Sequence, residues 1–265
     1  MSENHGKFVW YDAMTTDAHA AAEFYKEAIG WEYKDSGMPD GTYLLLEAGG
    51  IGIGGLMPIP AELAASGAKP TWMGYIAVDD VDEYAEKVKA AGGGIKKEPT
   101  DIPMVGRFAV ATDPHGASFY LFKGTGGQMP APVAPGTPGH IGWAELQAGD
   151  LEPAWTFYTS LFGWSSPYEM DMGPMGVYRL FATSGGATRE EAVGGMMTKV
   201  PEVPEVPAPF WLYYFNVDAV DATVERVKKG GGHLINGPME VPGGQWIAQF
   251  LDPQGAMFAV VSYTR

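Results

Sequence analysis

Cysteine is absent from the 265-residue sequence, which excludes disulfides, thiolate zinc sites, iron–sulfur clusters and thiol nucleophiles. Basic residues are scarce: 17 Lys and Arg stand against 32 Asp and Glu, a formal charge of -15. A surface of that sign repels phosphate backbones and anionic headgroups. The pairs Lys96-Lys97 and Lys228-Lys229 are too short to make a basic patch. No nucleic-acid or membrane partner is therefore expected. No uncharged apolar run approaches the ~20 residues that cross a bilayer. The opening Met-Ser-Glu-Asn-His-Gly also lacks the basic region and apolar core of a secretory signal. Together these features predict a cytoplasmic location. The five histidines, at 5, 19, 115, 140 and 233, have no spacing that would gather a ligand set. Gly50-Ile51-Gly52-Ile53-Gly54-Gly55 satisfies G-x-G-x-x-G formally, but Leu56-Met57-Pro58-Ile59-Pro60 cannot begin the helix a dinucleotide pyrophosphate requires.

What the chain has is repetition. Trp10, Asp17, Phe24, Tyr25, Gly30 and Trp31 recur 133 positions later as Trp143, Asp150, Phe157, Tyr158, Gly163 and Trp164. Trp72, Asp79, Val81, Asp82, Gly92 and Gly93 recur at an offset of 139 as Trp211, Asp218, Val220, Asp221, Gly231 and Gly232. Asp113-Pro114-His115-Gly116-Ala117 returns as Asp252-Pro253-Gln254-Gly255-Ala256. Two copies of one domain are expected, residues 1–125 and 139–265, joined by a Pro/Gly-rich linker at 126–138. The proline-rich stretch 200–209 and its counterpart 61–70 in the first copy are read as crossovers inside the copies.

Within each copy, Phe8 to Met14 predicts a strand, and Asp17 caps a helix with Ala21, Phe24, Tyr25 and Ala28 on one face. Gly30 ends it. Tyr43–Leu46 and Ile51–Met57 predict a hairpin. Trp72 to Val78 opens a second strand–helix–three-strand run, in which Asp-Pro-x-Gly supplies the last turn. The expected class is α+β: two tandem domains, each of paired βαβββ modules forming a curved mixed sheet with helices on its convex side.

The Asp-capped helix ending Phe-Tyr-x-x-x-x-Gly-Trp, the run Val78-Asp79-Asp80-Val81-Asp82 and the Asp-Pro-His-Gly turn resemble the vicinal oxygen chelate superfamily, also called the glyoxalase, bleomycin-resistance and dioxygenase family. The Gly-Gly-Leu-Met-Pro strand at 54–58, echoed at Gly194–Met197, is similar to two-domain bacterial members. The resemblance implies a divalent metal held by His, Gln or Glu on concave strands. Its ligand positions fall on Trp10 and Trp143, on Met73 and Leu212, and on Tyr120 and Ala259. None is a ligand for a hard cation.

Strand alternation puts Asp12 and Glu145 on the face of Trp10 and Trp143. They are the candidate catalytic or anchoring acids, since burial beside an indole favours a protonated carboxyl. Tyr75 and Tyr214 share that face. The predicted ligand-binding residues are Trp10, Met57, Tyr75, Arg107, Tyr120, Trp143, Met197 and Tyr214, with Arg107 a candidate carboxylate clamp. The leading expectation is a metal-independent small-molecule-binding protein, without cofactor, monomeric or homodimeric. The competing one is a metal-assisted lyase or isomerase acting on a small carbonyl compound with a divalent ion.

Overall fold

The secondary structure repeats with the sequence. The computed structural model describes residues 2–38, 41–126, 133–183, 185–199 and 209–265. Linker positions 127–132 and crossover positions 200–208 lie outside the described residues. The first repeat runs β1 (Phe8–Thr15), α1 (Ala18–Ile29), β2 (Glu32–Asp35), β3 (Leu44–Ala48), β4 (Ile51–Pro58), α2 (Ala61–Ala65), β5 (Thr71–Ala77), α3 (Val81–Ala90), β6 (Gly94–Ile102), β7 (Gly106–Thr112) and β8 (Ser118–Gly124). The second runs β9 (Ile141–Ala148), α4 (Leu151–Phe162), β10 (Glu169–Asp171), β11 (Val177–Phe181), β12 (Gly194–Thr198), β13 (Phe210–Asn216), α5 (Val220–Lys229), β14 (His233–Val241), β15 (Gln245–Leu251) and β16 (Met257–Ser262).

Each repeat forms one eight-stranded sheet, in the order β2-β3-β4-β1-β5-β8-β7-β6 and β10-β11-β12-β9-β13-β16-β15-β14. The pairs β1–β4, β5–β8, β9–β12 and β13–β16 are parallel and the outer ladders antiparallel. The two sheets are thus mixed, as α+β modules require. No described helix is long and apolar enough to cross a membrane.

Local chemistry accounts for the helix limits. Asp17 accepts from Ala20 N, and Gly30 closes α1 in the left-handed region at φ 93°. Asp150 and Gly163 do the same for α4. For α3 the cap is the second aspartate of the Asp79-Asp80 pair. Asp80 accepts from Glu83 N, whereas Asp79 accepts from Ser2 N. In α5 the cap position is Ala219, which makes no side-chain cap bond.

The compact units draw on both repeats. One comprises Met1–Trp10, Met73–Gln128 and Trp143–Trp211; the other comprises Tyr11–Trp72, Met129–Gly142 and Leu212–Arg265. In the second unit, Trp72 Nε1 donates to Tyr25 OH (2.8 Å), which donates to Asp252 Oδ2 (3.0 Å). Trp31 Nε1 donates to Gly139 O (2.7 Å), and its ring meets Phe215 edge-on at 4.7 Å. The first unit mirrors this. Trp211 Nε1 donates to Tyr158 OH (3.0 Å), Tyr158 OH to Asp113 Oδ2 (3.5 Å), and Trp164 Nε1 to Gly6 O (2.7 Å). The recurrent Phe-Tyr, Gly-Trp and Asp-Pro-x-Gly segments therefore form reciprocal locks: the tyrosine of each repeat bonds the turn aspartate of the other.

Burial raises the carboxyl pKa of Asp252 and Asp113, opposed by backbone N–H groups of the turn. A raised folded pKa means the folded chain takes up its proton first, so this group stabilises the fold less as pH rises through its folded value. The stability of wild type relative to Asp252→Asn is accordingly expected to increase as pH falls from 7 towards 4, measured by urea titration. An unchanged difference would mean that the carboxyl is not strained by burial.

Candidate functional site

On β1, Asp12 lies on the face opposite Ala13 and pairs in parallel register with Gly55. It is 1% exposed. Tyr43, just before β3, donates its hydroxyl to Asp12 Oδ1 at 2.8 Å. Gly55 is the reason the phenol can reach it. A Cβ there would lie 2.3 Å from the Tyr43 ring, nearer than any side chain tolerates. Gly54 meets a separate demand, since a Cβ would stand 2.2 Å from Tyr11 O.

The same device recurs on β9. Glu145 pairs with Gly195, where a Cβ would lie 2.3 Å from the Tyr178 ring. Here the polar chain is longer. Trp143 Nε1 donates to Tyr178 OH (2.8 Å), Tyr178 OH to Glu145 Oε2 (2.9 Å), and Gln147 Nε2 to Glu145 Oε1 (2.7 Å). Both carboxylate oxygens thus accept a bond, an arrangement that fixes the group's orientation. Glu145 and Gln147 are each 8% exposed. Met197 pairs with Gln147, and Met57 with Met14, alongside the acids. Trp10 and Trp143 are half-buried.

The second modules differ between repeats. Tyr75 pairs with Tyr120, and their rings stack with centroids 4.0 Å apart. In repeat two Ala259 stands opposite Tyr214, and Gln249 donates from Nε2 to Tyr214 OH at 2.8 Å. Arg107 departs from expectation. Its guanidinium bonds Asp82 of α3 at 2.7 and 2.9 Å and Asp101 at 2.8 Å. By strand parity it shares the face of the buried Ala109 and Ala111, not that of Phe108. Three of its N–H donors are thus engaged by the protein's own acids.

The family resemblance implies a divalent metal. Its ligand positions carry an indole, a thioether and a phenol in repeat one, and an indole, an isobutyl and a methyl group in repeat two. Among the described residues no three His, Asp or Glu side chains gather as a cation site.

Paired βαβββ modules in two mixed sheets, each with a tyrosine-bound acid on its first strand, define a tandem two-repeat protein of the glyoxalase architecture. The family model described as Glyoxalase/Bleomycin resistance protein/Dioxygenase superfamily matches residues 7–121 and 140–260, and the chain belongs to that family. It is similar to CFP32 of Mycobacterium tuberculosis, whose name places it with the glyoxylases, at 34% identity over 254 residues, covering 95% of this chain and 93% of that one. The anthracycline biosynthesis protein DnrV of Streptomyces peucetius is 31% identical over 271 residues, covering 97% and 93% respectively. The Mn(II)-bound glyoxalase from Novosphingobium aromaticivorans shares the fold, with a TM-score of 0.65 over 99% of this chain and 83% of that one at 18% identity.

Proposed function

We propose that this chain binds a small oxygenated or aromatic compound without chelating a metal, with Asp12 and Glu145 as polar anchors. The observation that carries this is the use of both acids. Each is bound by a neighbouring tyrosine hydroxyl, while the family's ligand positions hold groups that do not coordinate hard cations. Trp143, Tyr178 and Met197 flank Glu145; Tyr43 and Met57 flank Asp12. Tyr75, Tyr120 and Tyr214 are the further aromatic residues that this reading assigns to ligand binding. Full-length likeness to an anthracycline biosynthesis protein supports an aromatic ligand. The glyoxylase name of CFP32 supports the second reading, a metal-assisted lyase or isomerase acting on a small carbonyl compound.

Calorimetric titration with phenols, naphthols and quinones tests the proposal. A charge-assisted hydrogen bond contributes ~1.5–3 kcal/mol, so Glu145→Gln or Asp12→Asn is expected to weaken binding at least tenfold while the fold persists. If no compound of these classes binds, or if both variants bind as wild type does, the acids are not anchors.

A further inference from the structure

The two acids stand in different company. Gln147 follows Glu145 on the same face of β9; the corresponding residue after Asp12 on β1 is Met14. Gln147 Nε2 donates to Glu145 Oε1 at 2.7 Å. The reverse amide orientation would set a carbonyl oxygen against a carboxylate, so Gln147 Oε1 must turn away from Glu145. Among the described residues that oxygen accepts no hydrogen bond. It is also not sealed from solvent, unlike His5 Nδ1. Gln147 as a whole is 8% exposed. Asp12 is 1% exposed and has no neighbouring amide on its strand face.

We infer that Gln147 is a specificity-determining residue of the repeat-two site, and that it selects ligands carrying a hydrogen-bond donor, such as a phenolic hydroxyl, presented beside the half-buried Trp143 and Tyr178. This rests on the small-molecule reading above. A donor satisfies Gln147 Oε1 and gains from the negative potential of Glu145. A ligand that offers only acceptors leaves that oxygen desolvated and unpaired, which lowers affinity about tenfold or more.

The test compares 2-naphthol with 2-methoxynaphthalene, which keeps the rings and the oxygen but loses the donor. Wild type is expected to prefer 2-naphthol about tenfold. Gln147→Met installs the repeat-one residue and is expected to reduce the preference below twofold. Gln147→Asn, which retracts the amide by one methylene, is expected to lose it likewise. A preference retained in either folded variant overturns the role of Gln147. Equal binding of both probes by wild type overturns donor selection but leaves the small-molecule reading standing; binding of neither overturns both.

Discussion

Produced without the second repeat, residues 1–125 are expected to fail as a stable monomer. Tyr25 would lose Asp252, Trp31 would lose Gly139 O and the Phe215 ring, and Phe24 and Tyr25 would lose Phe258. Burying one large apolar side chain contributes ~1.5–3 kcal/mol, and an unpaired buried polar group costs ~1–3 kcal/mol. Exposing Tyr25, Trp31 and Trp72 together thus removes a sum comparable to the ~5–15 kcal/mol that holds a typical domain together. Size-exclusion chromatography with urea denaturation should show a fragment that unfolds far below the full-length midpoint or self-associates, the turn Asp113 of a second copy substituting for Asp252. A monomeric fragment with the full-length midpoint would show that the shared aromatic cores are dispensable.

Gly195→Ala is expected to damage both stability and binding. Alanine normally suits a strand better than glycine, so the intrinsic effect is favourable and any loss must come from contact. The new methyl would stand 2.3 Å from two atoms of the Tyr178 ring. Moving that ring breaks its hydroxyl's bond to Glu145 and the indole's bond to the hydroxyl. Overpacking of this kind costs ~1–3 kcal/mol, and 2-naphthol affinity should fall at least tenfold. In a Tyr178→Ala background the same substitution should cost nearly nothing, because the obstacle is gone. Equal costs in the two backgrounds would place the damage elsewhere.

Much of this was legible in the chain. The repeated Trp, Asp, Phe-Tyr and Gly-Trp positions located the modules and the helix limits, and simple alternation put Asp12 and Glu145 on one strand face. Three features escaped. Tyr43 and Tyr178 are 135 positions apart, an offset belonging to neither repeat register, so their equivalence was hidden by the loop insertions around them. Gly55 and Gly195 read as parts of a strand motif, although their physical role is clearance for a phenol. The ion pairs of Arg107 left no trace in the sequence pattern, because Asp82 lies 25 positions away on α3 and meets the guanidinium only through tertiary pairing. Periodicity also reveals that Tyr25 and Tyr158 are buried without revealing against what; the reciprocal locks with Asp252 and Asp113 are a matter of tertiary pairing.

Metal analysis of protein purified without chelator, paired with 2-naphthol titration before and after EDTA, bears most directly on the tyrosine-bound acids as anchors that work without a cation. Divalent metal far below one equivalent per chain and an unchanged affinity are the expected results. A stoichiometric ion held by three or more side chains, or binding that vanishes with EDTA and returns with Mn(II), would contradict them.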